Sequence, residues 1–181
     1  MNRASGILLP ISSLPSPYGI GTFSKEAYEF ADKLVEAGQS YWQILPLGPT
    51  GYGDSPYQPF STFAGNPYLI DLETLIEEGL LTKEECEEAD LTGHPNYIEY
   101  GKLYENRFPL LRKAYERSNI AKDEKFQAFV KENEWWVKDY ALFMAVKKCF
   151  NVAAWSEWAQ DIRMRWGYSL DYYYSTYSEE I

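Results

Sequence analysis

The sequence predicts an α/β fold in which a short β-α-β unit leads into a long, mainly helical tract. Three observations predict it. Within residues 1–50 an apolar run, a stretch of 3.6-residue periodicity and a second apolar run follow one another. A Gly- and Pro-rich segment then suspends all periodicity between Gly48 and Pro67. From Thr82 onward nearly every segment places apolar residues at helical spacing.

The first run, Gly6-Ile7-Leu8-Leu9-Pro10-Ile11, is continuous and bounded by Gly and Ser, the pattern of a short strand buried on both faces. After the loop from Ser12 to Thr22, the stretch Ser24 to Gly38 carries Ala27, Phe30, Ala31, Leu34 and Val35 at i, i+3, i+4, i+7 and i+8. Ser24 is its N-cap candidate and Gly38 the residue that closes it. Tyr41-Trp42-Gln43-Ile44-Leu45-Pro46-Leu47 reads as the second strand. Two short strands around one helix require a parallel crossover, which is right-handed in nearly all proteins.

The segment Gly48-Pro49-Thr50-Gly51-Tyr52-Gly53-Asp54-Ser55-Pro56-Tyr57-Gln58-Pro59 is turn upon turn. Long loops in compact domains tend to be functional or disordered. The aromatics Tyr52, Tyr57, Phe60 and Phe63 argue for order here. Tyr68-Leu69-Ile70-Asp71 is expected as a short strand, with Asp71 placed to cap the helix that follows, and Asn66 to hold its own turn.

Beyond it, Thr82-x-x-Glu85 is a capping-box pattern. Glu99 to Ser118 has Tyr100, Leu103, Tyr104, Leu111, Ala114 and Tyr115 at helical spacing, with Pro109 expected to kink or break it. Asp123 is placed to cap a helix containing Phe126, Phe129 and Val130, and Glu134 to Phe150 forms the next. One or two aromatic helices follow from Ala154. Tyr172 to Ile181 reads as the opening of a helix without a C-cap. Because two parallel strands make no complete sheet, the chain is expected to be the N-terminal piece of something larger.

Composition narrows the function. The 181 residues carry 17 basic and 27 acidic side chains, a formal charge of −10. Nucleic-acid affinity is driven by basic side chains that release counterions, and anionic membranes also recruit basic segments. Neither partner fits this chain. No run approaches the roughly 20 apolar residues of a membrane span, and Pro10 stops the N-terminal apolar run too early for a secretory signal. Cys86 and Cys149 lie far apart in different segments and read as reduced thiols, so a cytoplasmic setting is expected.

Chemistry that depends on metals, thiolates or phosphates finds little support. His94 stands alone beside Pro95 in a polar loop, neither cysteine has a histidine partner, and Gly48 to Gly53 lacks the Lys-Ser/Thr of a phosphate loop. Most carboxylates lie on helix surfaces, and no pair stands out as the acid/base and nucleophile that glycosyl transfer requires. What the loop does supply is a sugar surface. Tyrosine offers a flat apolar face for the C–H face of a pyranose and a hydroxyl for its rim. Asp54, Ser55, Gln58 and Asn66 offer donors and acceptors for ring hydroxyls, although Asp54 also suits a turn.

The run from Tyr41 to Gln58, continuing through Ser61-x-Phe63-Ala64-Gly65-Asn66-Pro67-Tyr68-Leu69-Ile70-Asp71, closely resembles the 4-α-glucanotransferases, the amylomaltases or disproportionating enzymes of glycoside hydrolase family 77. Ser5 to Pro15 with Tyr18-Gly19-Ile20-Gly21, and Trp135-Trp136-x-x-Asp139-Tyr140-Ala141-Leu142-Phe143, fit the same family. The resemblance implies the N-terminal part of a (β/α)8 TIM barrel, contributing its first two strands and interrupted by helical subdomain insertions. A barrel needs about 250 residues, so this one is incomplete. The expected organisation is residues 1–50 as the first β-α-β unit, 51–71 as a substrate-binding loop region with a short strand, and 72–181 as a mainly helical insertion, truncated at its end.

The family transfers α-1,4-glucan segments to the 4-OH of an acceptor glucan with retention, using no metal or cofactor. Its catalytic carboxylates belong to later strands, so the resemblance assigns no catalytic residue here and implies that the chain alone is inactive. Residue by residue it implies Tyr57 against the sugar at the cleavage point, with Ser55 and Asp54 as loop neighbours. Tyr52 and Tyr104 would stack a second glucan segment, Tyr104 having a helix-core role as its alternative. The expected partners are α-1,4-glucans and maltooligosaccharides. Self-association, or association with the missing C-terminal part, is expected as well. The alternative is a non-catalytic maltooligosaccharide-binding module, or one chain of a split enzyme. A helical protein-interaction domain, suggested by the aromatic helices after Glu99, is a third reading.

Overall fold

Ile7 and Trp42 lie side by side in a parallel ladder, as the crossover pattern requires: β1 (Gly6–Leu8) pairs with β2 (Tyr41–Gln43) in the register Gly6↔Tyr41, Ile7↔Trp42, Leu8↔Gln43. The computed structural model describes residues 3–94 and 96–181. Its chain forms two compact units, Met1–Ile120 and Ala121–Ile181. In the first, the helix α1 (Lys25–Glu36) crosses between the strands.

Local chemistry explains the ends of α1. Ser24 occupies the N-cap, but its hydroxyl donates to Glu26 Oε2 at 2.5 Å instead of accepting from the helix backbone. At the other end Gly38 (φ +68°) takes the left-handed conformation that L-residues resist. Gly38 N–H donates to Val35 O and Gln39 N–H to Leu34 O, both at 2.9 Å, which is a Schellman closure. Phe30 meets Trp42 edge-on at 4.9 Å, and Trp42 Nε1–H donates to Leu9 O at 2.8 Å, so the helix and both strands share one anchor. Ile11, Leu14, Ala27 and Leu69 complete this small core.

The strands are shorter and more exposed than the sequence predicts. Pro10 ends the first, and Ile11–Ser13 is a 3₁₀ turn. Ile7 and Leu8 are 42% and 57% exposed, not buried on both faces. Among the described residues the sheet has only β1 and β2, so each strand has one unpaired edge.

Tyr68–Asp71 is a second correction. Pro67–Leu69 forms a 3₁₀ turn, because Asn66 Oδ1 accepts from Tyr68 N–H at 3.0 Å and Pro67 presets the backbone for a helical turn. Asp71 does cap, accepting from Thr74 N–H at 3.0 Å at the start of α2 (Leu72–Glu77). Thr82 and Glu85 form the full capping box of α3 (Lys83–Glu88).

The main core of this unit lies between these short helices and α4 (Tyr100–Arg117). Leu72, Leu81, Cys86, Leu91, Leu103, Leu110 and Ala114 are buried there with Tyr18, Ile20 and Tyr68. Each fully buried leucine contributes roughly 1.5–3 kcal/mol. The inward stripe of α4 is Leu103, Arg107, Leu110 and Ala114. Pro109 does not break the helix. It and Glu105, whose carbonyl loses its donor, both face solvent, so water can satisfy the freed group. Tyr104 lies on the exposed flank of the stripe instead of in the core.

The second unit holds α5 (Glu124–Glu132), α6 (Glu134–Cys149), α7 (Gln160–Arg163) and α8 (Gly167–Thr176). Asp123 caps α5 as expected, accepting from Phe126 N–H at 2.8 Å. Leu142, Val146, Trp158 and Ile162 form its core, with Phe143, Phe150 and Tyr173 packed around them. Tyr172–Thr176 closes α8 instead of opening a helix. The helix begins earlier, at Gly167, where Ser169 Oγ donates to Asp161 Oδ2 at 2.6 Å. No described helix is long and apolar enough to cross a membrane.

Candidate functional site

The loop of residues 48–66 is ordered by its own hydrogen bonds. Its base is shut where Asn66 N–H donates to Leu47 O at 2.8 Å. Gly48 is required there, since a Cβ would stand 2.8 Å from the Pro59 ring and 3.0 Å from the Ser61 carbonyl. Further along, Ser61 Oγ accepts from Phe63 N–H (3.2 Å) and Ala64 N–H (3.1 Å).

The tip is a turn from Gly51 to Asp54, closed by Asp54 N–H to Gly51 O at 3.1 Å. Gly53 (φ +93°) supplies the positive φ that such a turn demands at its third position. Asp54 follows with φ +53°, a conformation that Asp tolerates better than most residues. The turn throws the Tyr52 ring fully into solvent. Ser55 Oγ accepts from Tyr57 N–H at 3.4 Å, holding the next turn, and the Tyr57 ring stands 69% exposed.

Asp54 is drawn back toward the protein. Partial burial pushes its carboxyl above the usual aspartate range. Its charge is felt by two phenols of the neighbouring core, Tyr68 and Tyr100. Burial, then Asp54, then Tyr104 and Tyr100 push the Tyr68 hydroxyl up to about 12. Tyr100 is raised by burial and by Asp54, while a hydrogen bond with Ser12 works in the opposite direction. The rings form a connected set: Tyr68 to Tyr100 at 5.8 Å, Tyr68 to Phe108 at 5.4 Å, and Phe108 to Tyr104 at 5.8 Å. Tyr104, 55% exposed, is the outer member of this set on α4.

Tyr104 joins Tyr68 through the Phe108 ring, and Asp54 acts on Tyr68 and Tyr100 through its charge. Tyr52, Ser55 and Tyr57 stay in the loop, two of them as exposed rings. Tyr68 and Tyr100, the residues that join loop to helix, were legible in the sequence only as a strand residue and a helix-core aromatic. A cleft of about 520 Å³ opens at the base of the loop, lined by Phe23, Leu47, Asn66, Ile70, Asp71 and Thr74 among others, and contains none of the five residues that the resemblance assigns to the loop tip and α4. It is mainly apolar, whereas a sugar needs hydrogen-bonding groups beside a flat ring, so the loop is the better candidate.

His94 is exposed, stacked on Tyr97 at 4.5 Å, and its Nδ1 accepts from Asn96 N–H at 3.2 Å. Among the described residues no three His, Cys, Asp or Glu side chains converge on a point that could hold a metal. Exposed aromatic faces beside one partly desolvated carboxylate can bind a polyhydroxylated ring. They offer neither a nucleophile with its base nor a phosphate cradle.

A family model described as 4-alpha-glucanotransferase matches residues 9–181. The chain is 49% identical to the 4-alpha-glucanotransferase of Clostridium butyricum, over 94% of this chain and 35% of that protein. It is 46% identical to that of Thermus thermophilus, over 99% of this chain and 36% of that protein. Among solved structures it is similar to the amylomaltase from Streptococcus agalactiae in complex with acarbose. The TM-score is 0.90 and the identity 43%, over 99% of this chain and 37% of that one. The chain thus spans about a third of the length of the curated relatives it matches.

Proposed function

The chain belongs to the 4-alpha-glucanotransferase family, and from that premise we infer that it supplies the glucan-binding entry part of an enzyme that moves α-1,4-glucan segments. In the complete enzyme a donor glucan is cleaved, held as a covalent glycosyl-enzyme, and passed with retention to the 4-OH of an acceptor glucan. The observation that carries the reading is the family match over residues 9–181. The acarbose-bound relative supports a glucan or glucan-like ligand, and the exposed tyrosines around Asp54 supply chemistry suited to one.

In this reading β1 and β2 are the first two strands of a (β/α)8 barrel, residues 51–71 carry substrate contacts, and 72–181 are a mainly helical insertion. Tyr57 stacks on the sugar at the cleavage point, with Asp54 and Ser55 at its rim. Tyr52 and Tyr104 hold a second glucan segment, which raises the local concentration of acceptor. The chain by itself contributes binding and no catalytic carboxylate. The exposed sheet supports association, either with itself or with a polypeptide that supplies the remaining strands. A net charge of −10 supports a protein without nucleic-acid or anionic-membrane partners, and the free thiols Cys86 and Cys149 support a cytoplasmic setting.

Incubation of the purified chain with maltotriose tests this. The reading expects no glucose and no longer maltooligosaccharides from the chain alone. Glucose appearing together with longer products would place a working carboxylate pair within these residues and overturn the assignment of catalysis elsewhere.

A further inference from the structure

Arg107 is completely buried in the apolar stripe of α4, between Leu103 and Leu110. Its Nη2–H donates to Ile70 O at 2.5 Å, whereas Nε and Nη1 lie buried with no partner. Burial brings the guanidinium down to about 10, against the opposing charge of Asp71. Such a group is a poor way to fill a core, because a buried cation with unpaired N–H groups is less favourable than an apolar side chain of similar volume. Its position suggests what it is there to hold.

Ile70 follows the 3₁₀ turn that carries Tyr68 and precedes Asp71. Asp71 accepts from Thr22 Oγ1 (3.0 Å), Thr74 Oγ1 (2.9 Å) and Thr74 N–H (3.0 Å). Arg107 thus pins the backbone of the 66–71 segment to the helix bearing Tyr100 and Tyr104. Tyr68 N–H donates to Oδ1 of Asn66, which shuts the base of the loop, and the Tyr68 ring packs on Tyr100 and Phe108.

We propose that Arg107 is a positioning residue for glucan binding, setting the spacing between the base of the 48–66 loop and Tyr104 through its bond to the Ile70 carbonyl. It touches no sugar and acts only through the 68–70 backbone and the Tyr68 ring. The inference rests on the glucan-binding reading and adds a residue that neither ring stacking nor loop chemistry points to.

The test compares Arg107→Met and Arg107→Lys with the unmodified chain, measuring Kd for maltoheptaose by calorimetry and Tm by circular dichroism. Arg107→Met is expected to bind about tenfold more weakly with Tm unchanged or raised, since the buried charge is gone. Arg107→Lys, which keeps a donor for Ile70 O, is expected to recover part of the affinity. Arg107→Met at the unmodified Kd overturns the proposal. So does a loss of affinity equal in Met and Lys variants that tracks a fall in Tm, because that is a structural role. If Arg107→Met does not fold, Arg107→Leu, which likewise removes the donor, takes its place: weaker binding at unchanged Tm supports the proposal, and unchanged binding rejects it. An unmodified chain that binds no maltoheptaose rejects the glucan reading and this inference together, whereas normal binding with indifferent variants rejects the inference alone.

Discussion

The Tyr68 and Tyr100 rings lie 5.8 Å apart at a tilt of 57°, and this contact joins the segment after the 48–66 loop to the helix that carries Tyr104. Burial first, and then the negative charge of Asp54, raise both phenols above their ordinary range. The segment that leaves the loop is thereby fixed to α4, although more than 30 residues of chain separate the two rings.

Neighbouring residues on α4 should separate stability from binding. Leu103 is fully buried, and Leu103→Ala should cost about 2–5 kcal/mol, read as a lower urea midpoint. Tyr104 is exposed next to it and keeps one edge contact with Phe108, so Tyr104→Ala should cost no more than about 1.5 kcal/mol. Maltooligosaccharide binding should behave in the opposite way at native conditions, weakening in Tyr104→Ala and persisting in whatever Leu103→Ala remains folded.

The proposed glucan contact of Asp54 predicts that binding depends on pH. Its carboxyl is raised by partial burial, so it gains a proton at a higher pH than an ordinary aspartate. A protonated carboxyl loses acceptor strength toward sugar hydroxyls. On acidification, affinity for maltoheptaose should start to fall before ordinary aspartates titrate. Asp54→Asn should be weaker at neutral pH and should flatten the profile. Equal profiles for the two proteins would remove Asp54 from the site.

Glu85 governs acid stability in the first unit. Arg117 donates to both its oxygens (2.7 and 2.8 Å), Lys113 donates at 3.0 Å, and Thr82 N–H adds a backbone bond at 3.0 Å. Arg117 first, then Lys113 and Thr82, hold the carboxyl well below the usual glutamate range. A depressed folded-state pKa stabilises above the unfolded value and loses that contribution as pH falls through the folded one. The Tm advantage over Glu85→Gln should be full at neutral pH and shrink progressively once pH drops below the ordinary glutamate range. Because Lys113 and Arg117 are exposed and Glu85 is only partly covered, added salt should reduce it.

The open sheet predicts association. Ile7 and Leu8 on β1 and Tyr41 on β2 are exposed, and both strands have a free edge among the described residues. Light scattering on the purified chain at micromolar concentration should give a mass above that of one chain, and Leu8→Lys should lower it. A strictly monomeric protein with a sharp melt would contradict this.

Much of this architecture was legible locally. The capping box at Thr82 and Glu85, the Asp123 cap and the Gly38 closure are short-range chemistry, and all three formed. The parallel pairing followed from two apolar runs around one amphipathic helix. What failed was decided elsewhere in the chain. Tyr68-Leu69-Ile70 has strand-like composition, yet Asn66 and Pro67 wind it into a turn and Arg107 fixes its carbonyl. Ile7 and Leu8 look like core residues, but burial depends on neighbouring strands that pattern alone cannot supply. Within the site, the loop residues announced themselves through Gly, Pro and Tyr. Tyr68 and Arg107 did not, since their roles arise from contacts about 40 residues apart.

The central claim, that the 48–66 loop and the exposed face of α4 form a glucan-binding surface, is tested most directly by calorimetric titration of the chain with maltoheptaose. The unmodified chain and Tyr57→Ala, Tyr52→Ala and Tyr104→Ala should be compared under identical conditions. The account predicts saturable binding by the unmodified chain, weakened several-fold to about tenfold by each substitution, with Tm little changed. Absence of binding by the unmodified chain, or binding indifferent to all three substitutions, would contradict it.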